Sequence, residues 1–311
     1  MTTQKNRYLF GPVPSRRLGR SLGVDIVPMK TCTQNCIYCQ LGKDAPQTLQ
    51  RKDYVSIEAV LSELEQKIDA GLDADFITIS GSGEPTLHSQ LGKLIDGIRI
   101  ITEIPVAVIT NGTLLSDPAV RQDCCKADVV LPSLDAGDSE TFKKMNHPHA
   151  DLDFKQFVDG LVRFRSEYTG QLWLEVFFCE GINTDDTSVR NIAEQIRRIN
   201  PDKVQINTSV RPIVHAEAAR VSEQRLNEIA THLGESVEAI TDFSKDTTAT
   251  GKQADLQVIL ETLQRRPCTL DDLCAGLGLS KEQLQPALVK LDALSKITGE
   301  TINQKFYYKA V

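Results

Sequence analysis

Residues 30–39 read KTCTQNCIYC and put Cys32, Cys36 and Cys39 inside eight positions. Thiols this close are seldom packing residues. A buried cysteine behaves as a small hydrophobe and needs no second cysteine beside it, whereas thiolates are strong metal ligands. Structural zinc takes four protein ligands, usually supplied as two close pairs. The next cysteines, Cys124 and Cys125, are adjacent and too close to chelate as a pair, and neither His88 nor His147 with His149 stands at a zinc-knuckle spacing. A four-iron cluster is normally held by four thiolates. Three thiolates leave one iron without a protein ligand, and that open position is the expected place for a small molecule to bind and react.

GVDIVP (23–28) runs directly into this loop and is the first of six apolar, strand-length segments. The others are ADFITIS (74–80), IPVAVIT (104–110), ADVVLPS (127–133), QLWLEVFFC (171–179) and DKVQINTS (202–209). Their length and β-branched content mark strands. Helix-like stretches follow at 56–70, 89–101, 117–125, 154–168, 187–199 and 222–233, several behind a capping residue such as Ser56, Ser116 or Asp153. This alternation predicts an α/β fold with a parallel sheet and helical crossovers. Six such units predict a partial (β/α)6 barrel of TIM type over residues 1–240, with its chemistry at the C-terminal strand ends. TDFSKDTTATGK (241–252) is polar, lacks an apolar period and reads as a linker. Residues 253–311 then give helix, helix, turn, helix and hairpin, the pattern of a winged-helix domain, with Leu284, Leu288, Leu291 and Leu294 on one helix face.

The loops at the strand ends carry the remaining candidates. In GSGEPTLH (81–88) two glycines permit close backbone approach, and Glu84 offers a carboxylate to a cation. ITNGTLL (109–115) presents Asn111, and LPSLDA (131–136) presents Ser133 and Asp135 as hydrogen-bonding groups. Glu175 sits inside an apolar strand and must face a polar cavity or a partner; Cys179, at the end of that strand, reads as a packed small hydrophobe. Gln205, Asn207 and Arg211 belong at the rim where a substrate sits, with Arg211 suited to a carboxylate or phosphate. FGPVPSRRLGRSLGVD (10–25) sets Arg16, Arg17 and Arg20 among glycines and prolines, where an anion contact competes with plain solvation.

C-x3-C-x2-C after the first strand of a βα repeat, with Tyr38 before the last cysteine, resembles the signature of the radical S-adenosylmethionine superfamily. The resemblance runs over residues 20–235. It implies that Cys32, Cys36 and Cys39 hold a [4Fe-4S] cluster whose open iron is chelated by S-adenosylmethionine. It implies reductive cleavage of that cofactor to a 5′-deoxyadenosyl radical, which abstracts hydrogen from a substrate, and an electron donor such as flavodoxin or ferredoxin. The loop around Ser82, Gly83 and Glu84 looks like the family's glycine–glycine–glutamate–proline loop, with Ser82 replacing a glycine; in the family it binds the methionine ammonium. Asn111, Ser133 and Asp135 then fall where family members meet the methionine carboxylate and ribose. The arginine-rich opening, CIYCQLG and the Asn-His-Pro-His run (146–149) are similar to iron–sulfur proteins related to the wyosine-type tRNA synthetases. His147 departs from the arginine common there. The wyosine enzymes carry a further set of cluster cysteines, and this sequence has no second cluster-spaced set, so the grouping does not imply the tRNA reaction.

Composition limits the partners. The net charge is −7, while residues 1–60 carry nine lysines and arginines against four acids. A generally basic nucleic-acid binder is disfavoured. From residue 253 onward seven lysines and arginines face seven acids, which leaves the winged helix to meet protein or nucleic acid, or to cap the barrel. No apolar run approaches the roughly 20 residues of a membrane span, and the N-terminus lacks a signal-peptide core. A cytoplasmic setting is expected, where thiols stay reduced, and eight cysteines there point to metal chemistry more than to disulfides. The substrate stays open among small molecules, peptides and tRNA. Two rival classes remain: a cluster-dependent redox sensor that regulates DNA binding through the winged helix, and a non-catalytic iron–sulfur scaffold. The Glu84 loop counts against both, because neither needs an ammonium site.

Overall fold

The computed structural model describes residues 8–15, 17–41, 47–209, 218–234, 237–239, 256–265, 267–302 and 305–311. Eight strands there form one sheet in chain order: β1 (Leu9–Ser15), β2 (Gly19–Val24), β3 (Phe76–Ile79), β4 (Val106–Thr110), β5 (Val129–Pro132), β6 (Gln171–Phe178), β7 (Lys203–Thr208) and β8 (Val237–Ala239). β1 is antiparallel to β2, and every later neighbouring pair is parallel. The connections contain α1 (Ile57–Asp69), α2 (Leu91–Ile101), α3 (Pro118–Cys124), α4 (Ser139–Asn146), α5 (Phe154–Glu167), α6 (Asp186–Ile199) and α7 (Glu223–Leu233). Because the parallel strands follow one another without a skip, the loops after β2 to β7 emerge at one end of the sheet.

The architecture is the expected mostly parallel α/β sheet, with two strands more than the six-unit reading. The added β1 carries Pro12 and Pro14 and pairs with β2 as a hairpin. β1 lies at the sheet edge, where a proline's missing N–H costs no ladder bond. The first parallel strand therefore ends at Val24, and Ile26 and Val27 are buried in the loop beyond it. α4 is short and polar, which hid it. α3 is capped by Asp117 instead of Ser116: its carboxylate accepts the Ala119 N–H, and Pro118 sits at the first helical position, where a missing N–H is harmless. Ser56 and Asp153 cap α1 and α5 as expected.

The main core fills the space between sheet and helices. Phe164 of α5 is fully buried and stacks on Tyr168 with ring centroids 4.8 Å apart, while the Tyr168 hydroxyl donates to the Ala127 carbonyl. A second core belongs to the winged helix: α8 (Leu256–Arg265), α9 (Leu270–Leu277), α10 (Lys281–Ala293) and the hairpin of β9 (Ile297–Ile302) and β10 (Lys305–Ala310). Leu284, Leu288 and Leu291 enter that core; Leu294 follows the helix and is exposed. α8 and α9 lie against β1, so the hairpin edge is covered rather than left as an open ladder. Among the described residues no helix is long and apolar enough to cross a membrane.

Replacing Phe164 with alanine removes a stacked ring from a site that cannot refill. Denaturant unfolding should show a loss of about 3–5 kcal/mol; a loss below about 1 kcal/mol would mean that α5 does not pack on the sheet as described.

Candidate active site

The cysteine loop leaves β2 and is clamped from two sides. On one side the Lys30 N–H donates to the Ser82 carbonyl at 2.5 Å, and the Glu84 N–H donates to the Thr31 carbonyl at 2.9 Å. A Cβ at Gly83 would stand 2.0 Å from the Thr31 carbonyl oxygen, so glycine is what permits this approach. On the other side the N–H groups of Asn35 and Ile37 donate to the carbonyls of Asn146 and Met145 at the end of α4, and the His149 N–H donates to the Thr33 carbonyl. Ile37 anchors the loop in a small core with Met145, Phe177, Cys179 and Ala218. Cys179 is thus a packing residue.

Asparagine side chains face two of the three sulfurs. Asn111 Nδ2 donates to Cys32 Sγ over 3.5 Å and to Thr33 Oγ1 over 2.8 Å, and Asn146 Nδ2 donates to Cys36 Sγ over 3.4 Å. Burial pushes the Cys32 thiol up to about 12, with the Glu84 carboxylate adding to it. Burial, then the charge of Asp135, holds the Cys36 thiol well above its usual range. Sulfurs in such a place ionise only when a cation replaces the proton, and metal coordination does that. Three thiols on one loop, with amide donors set to bond their thiolates, fit an iron–sulfur cluster.

Glu84, expected from its sequence context at the methionine ammonium, is enclosed by donors of its own chain. It is 2% exposed. Its Oε1 accepts from the Thr86 N–H, the Thr86 hydroxyl and the Thr110 hydroxyl at 3.0, 2.6 and 2.6 Å, and its Oε2 accepts from the Asn111 N–H at 2.7 Å. Burial raises its pKa, and these four bonds oppose the shift. The carboxylate ties the ends of β3 and β4 together and is largely spoken for by chain donors. Ser82 likewise spends its hydroxyl and N–H on Asp25.

A cavity of about 400 Å³ opens beside the loop and is lined by Cys39, Gly83, Ser133, Asp135, Glu175 and Asn207, among others. It therefore gathers one cysteine of the loop and five of the polar or glycine positions singled out from sequence. Ser82, Glu84 and Asn111 are not among its lining residues. Arg211 and Arg16 lie outside the described residues. Asp135 accepts from Tyr38 Oη at 2.5 Å, Asn146 Nδ2 at 2.7 Å and the Phe177 N–H at 2.8 Å, and Tyr38 stacks on Phe177 with centroids 4.0 Å apart. Burial lifts the Asp135 pKa to about 6 against these bonds. Sequence reasoning left Arg17 among the solvated arginines, but it enters this cavity, with Nη1 2.5 Å from Glu175 Oε2. Arg20 stays outside and pairs with Asp73 and Asp75. Proximity to Gly19 in sequence gave no sign of which arginine turns inward. Asn146 was visible only as part of its Asn-His-Pro-His run.

Three close cysteines follow the first parallel strand, and Cys39 among them lines a polar cavity; this is the arrangement of an iron–sulfur enzyme. The chain belongs to the radical SAM superfamily, whose model matches residues 26–183; a DprA winged helix domain model matches residues 244–292. Enzymes of this superfamily use a [4Fe-4S] cluster and S-adenosylmethionine. A UPF0026 protein of Helicobacter pylori is 32% identical over 280 residues, covering 88% of either chain. A Brachyspira hyodysenteriae protein named GTPase Obg is 36% identical over 310 residues; the match takes in 98% of this chain but 45% of that longer one. No G-x-x-x-x-G-K-[ST] stretch occurs in this sequence, so the GTPase name stays with the other protein. TYW1, solved with a lysine-pyruvate adduct bound, matches with a TM-score of 0.53 at 18% identity over 72% of this chain and 75% of that one, a likeness of fold.

Gly83→Ala should separate the two loops and leave the anaerobically reconstituted protein with well under half the iron of wild type; full loading would show that the loops need not touch. Asp135 gives a pH prediction for the apoprotein. Its folded-state pKa of about 6 exceeds the unfolded value of about 3.9, so its contribution is most favourable below about pH 4 and is lost as pH rises to about 6. Against Asp135→Asn, wild type should lose on the order of 2–3 kcal/mol between pH 4 and 7 in denaturant titrations. A constant difference across that range would contradict a raised pKa.

Proposed function

We propose that this chain is a radical enzyme acting on a small polar substrate held in the cavity. When bound, the cluster and S-adenosylmethionine supply a one-electron cleavage to methionine and a 5′-deoxyadenosyl radical, which takes a hydrogen atom from that substrate. The observation that carries the reading is that Cys39 of the cysteine loop lines the same cavity as Gly83, Ser133 and Asp135, beyond the C-terminal ends of parallel strands β2, β3 and β5. In this reading Gly83, Ser133 and Asp135 receive the polar groups of the cofactor, while Ser82, Glu84 and Asn111 fix the loops that present them. The enclosing strands and the Tyr38–Phe177 stack keep water from a reactive intermediate. Asn207, Glu175 and Arg17 face the substrate.

The DNA-regulator rival finds little support. Lys281, at the start of α10, is paired with Asp271, and Val289 and Leu294 are exposed along and after that helix. A mixed, partly apolar face of this kind suits a protein or peptide partner better than a phosphate backbone.

The test is anaerobic. Reconstituted protein with dithionite and S-adenosylmethionine should form 5′-deoxyadenosine, and Cys36→Ala should form none. A fully loaded wild type that binds S-adenosylmethionine but never yields the nucleoside, with any candidate substrate, would sink the radical reading.

A further inference from the structure

The floor of the cavity holds an ion pair with unmet hydrogen-bonding capacity. Ser15 Oγ accepts from the N–H groups of Arg17 and Leu18 and fixes the tight turn from which Arg17 reaches inward. The Arg17 and Glu175 side chains are 19% and 14% exposed. Arg17 Nη1 is buried and, although 2.5 Å from Glu175 Oε2, is not aligned for a hydrogen bond with any group. Glu175 Oε1 has only a long contact of 3.4 Å from Asn207 Nδ2. Gln205 stands in register beside Glu175 on the neighbouring strand, is 2% exposed, and its Oε1 has no partner. Among the described residues, Arg17 Nη1 within this half-buried pair and Gln205 Oε1 beside it thus lack an aligned hydrogen-bond partner.

Native interiors rarely leave such groups unmatched, and in a cavity wall a water or a ligand is what meets them. A largely desolvated ion pair is also poor value for stability compared with apolar packing, so its place in a cavity wall suits recognition. The pair is neutral overall. A dianion such as a phosphate would gain Arg17 but meet Glu175, and a lone amine would gain Glu175 but meet Arg17. A molecule with both charges satisfies both.

Resting on the radical reading above, the geometry points to a free amino acid, or a close α-amino carboxylate, as the substrate class. Arg17 binds its carboxylate through a fork of N–H groups. Its ammonium is received by Glu175 and the free Gln205 Oε1, and the side chain of the substrate extends toward Cys39.

The whole chain, with its cluster reconstituted anaerobically and S-adenosylmethionine added, is challenged with three pools at equal concentration: the protein amino acids, the amines formed by removing their carboxylates, and the acids formed by removing their amino groups. Melting temperature and 5′-deoxyadenosine yield are read for each. The amino-acid pool should raise both in wild type and the single-charge pools should raise neither. For the member responsible, Arg17→Met and Glu175→Gln should each raise the half-saturating concentration about tenfold or more. An equal response to amines or acids, unchanged half-saturation in both variants, or no melting shift with any pool would overturn the assignment. If either variant fails to load iron, the comparison of pools on wild type still decides. Absence of the nucleoside alongside an intact, Arg17-dependent melting shift would count against the radical reading and leave the amino-acid site standing.

Discussion

The close passage of the Thr31 carbonyl over Gly83 is the constraint on which the site depends. Two backbone bonds cross there, from Lys30 to Ser82 and from Glu84 to Thr31, and a side chain at position 83 would prevent both. Directly behind them lies the Glu84 carboxylate. Burying a carboxylate is costly unless donors replace its water, and here Thr86, Thr110 and Asn111 supply four. The charge locks the loop after β3 to the loop after β4. Asn111, whose N–H is held by that carboxylate, then aims its amide at Cys32.

The same construction recurs across the loop. Asp135, after β5, binds the Asn146 amide, and that amide reaches Cys36. Each of these sulfurs is therefore met by an asparagine, and each asparagine is held by a buried carboxylate on a strand end. Supporting shells of this sort fix ligand orientation and tune a bound metal. Burial first, and then the charges of Glu84 and Asp135, disfavour the thiolates of Cys32 and Cys36, while the asparagine amides favour them.

How much of this was legible follows from what each residue type signals. Cys32, Cys36 and Cys39 announced themselves by spacing, and the parallel strands by their β-branched runs. β1 did not, because Pro12 and Pro14 deny a central strand but allow an edge one, and sequence does not say which strand is at the edge. Glu84 stood out as a carboxylate offered to a cation; its burial and its four donors were hidden, because those donors come from residues 86, 110 and 111 and their convergence is tertiary. Arg16, Arg17 and Arg20 are equivalent in composition. Only the Ser15-capped turn turns Arg17 inward while Asp73 and Asp75 hold Arg20 at the surface.

That turn also links the two halves of the chain. β1 carries α8 and α9 of the winged helix against it, while Phe10, Val13 and Ser15 from the same strand line the cavity. The hairpin is thus a wall shared between the small domain and the site, and it ends in the residue that pairs with Glu175. Phe10 lies so close over Gly23 of β2 that a Cβ there would stand 2.0 Å from its ring, which leaves the hairpin little room to shift along its neighbour. A close-packed wall of this kind transmits displacement instead of absorbing it. Any contact that moved the winged helix would be felt first at β1, and next at Arg17.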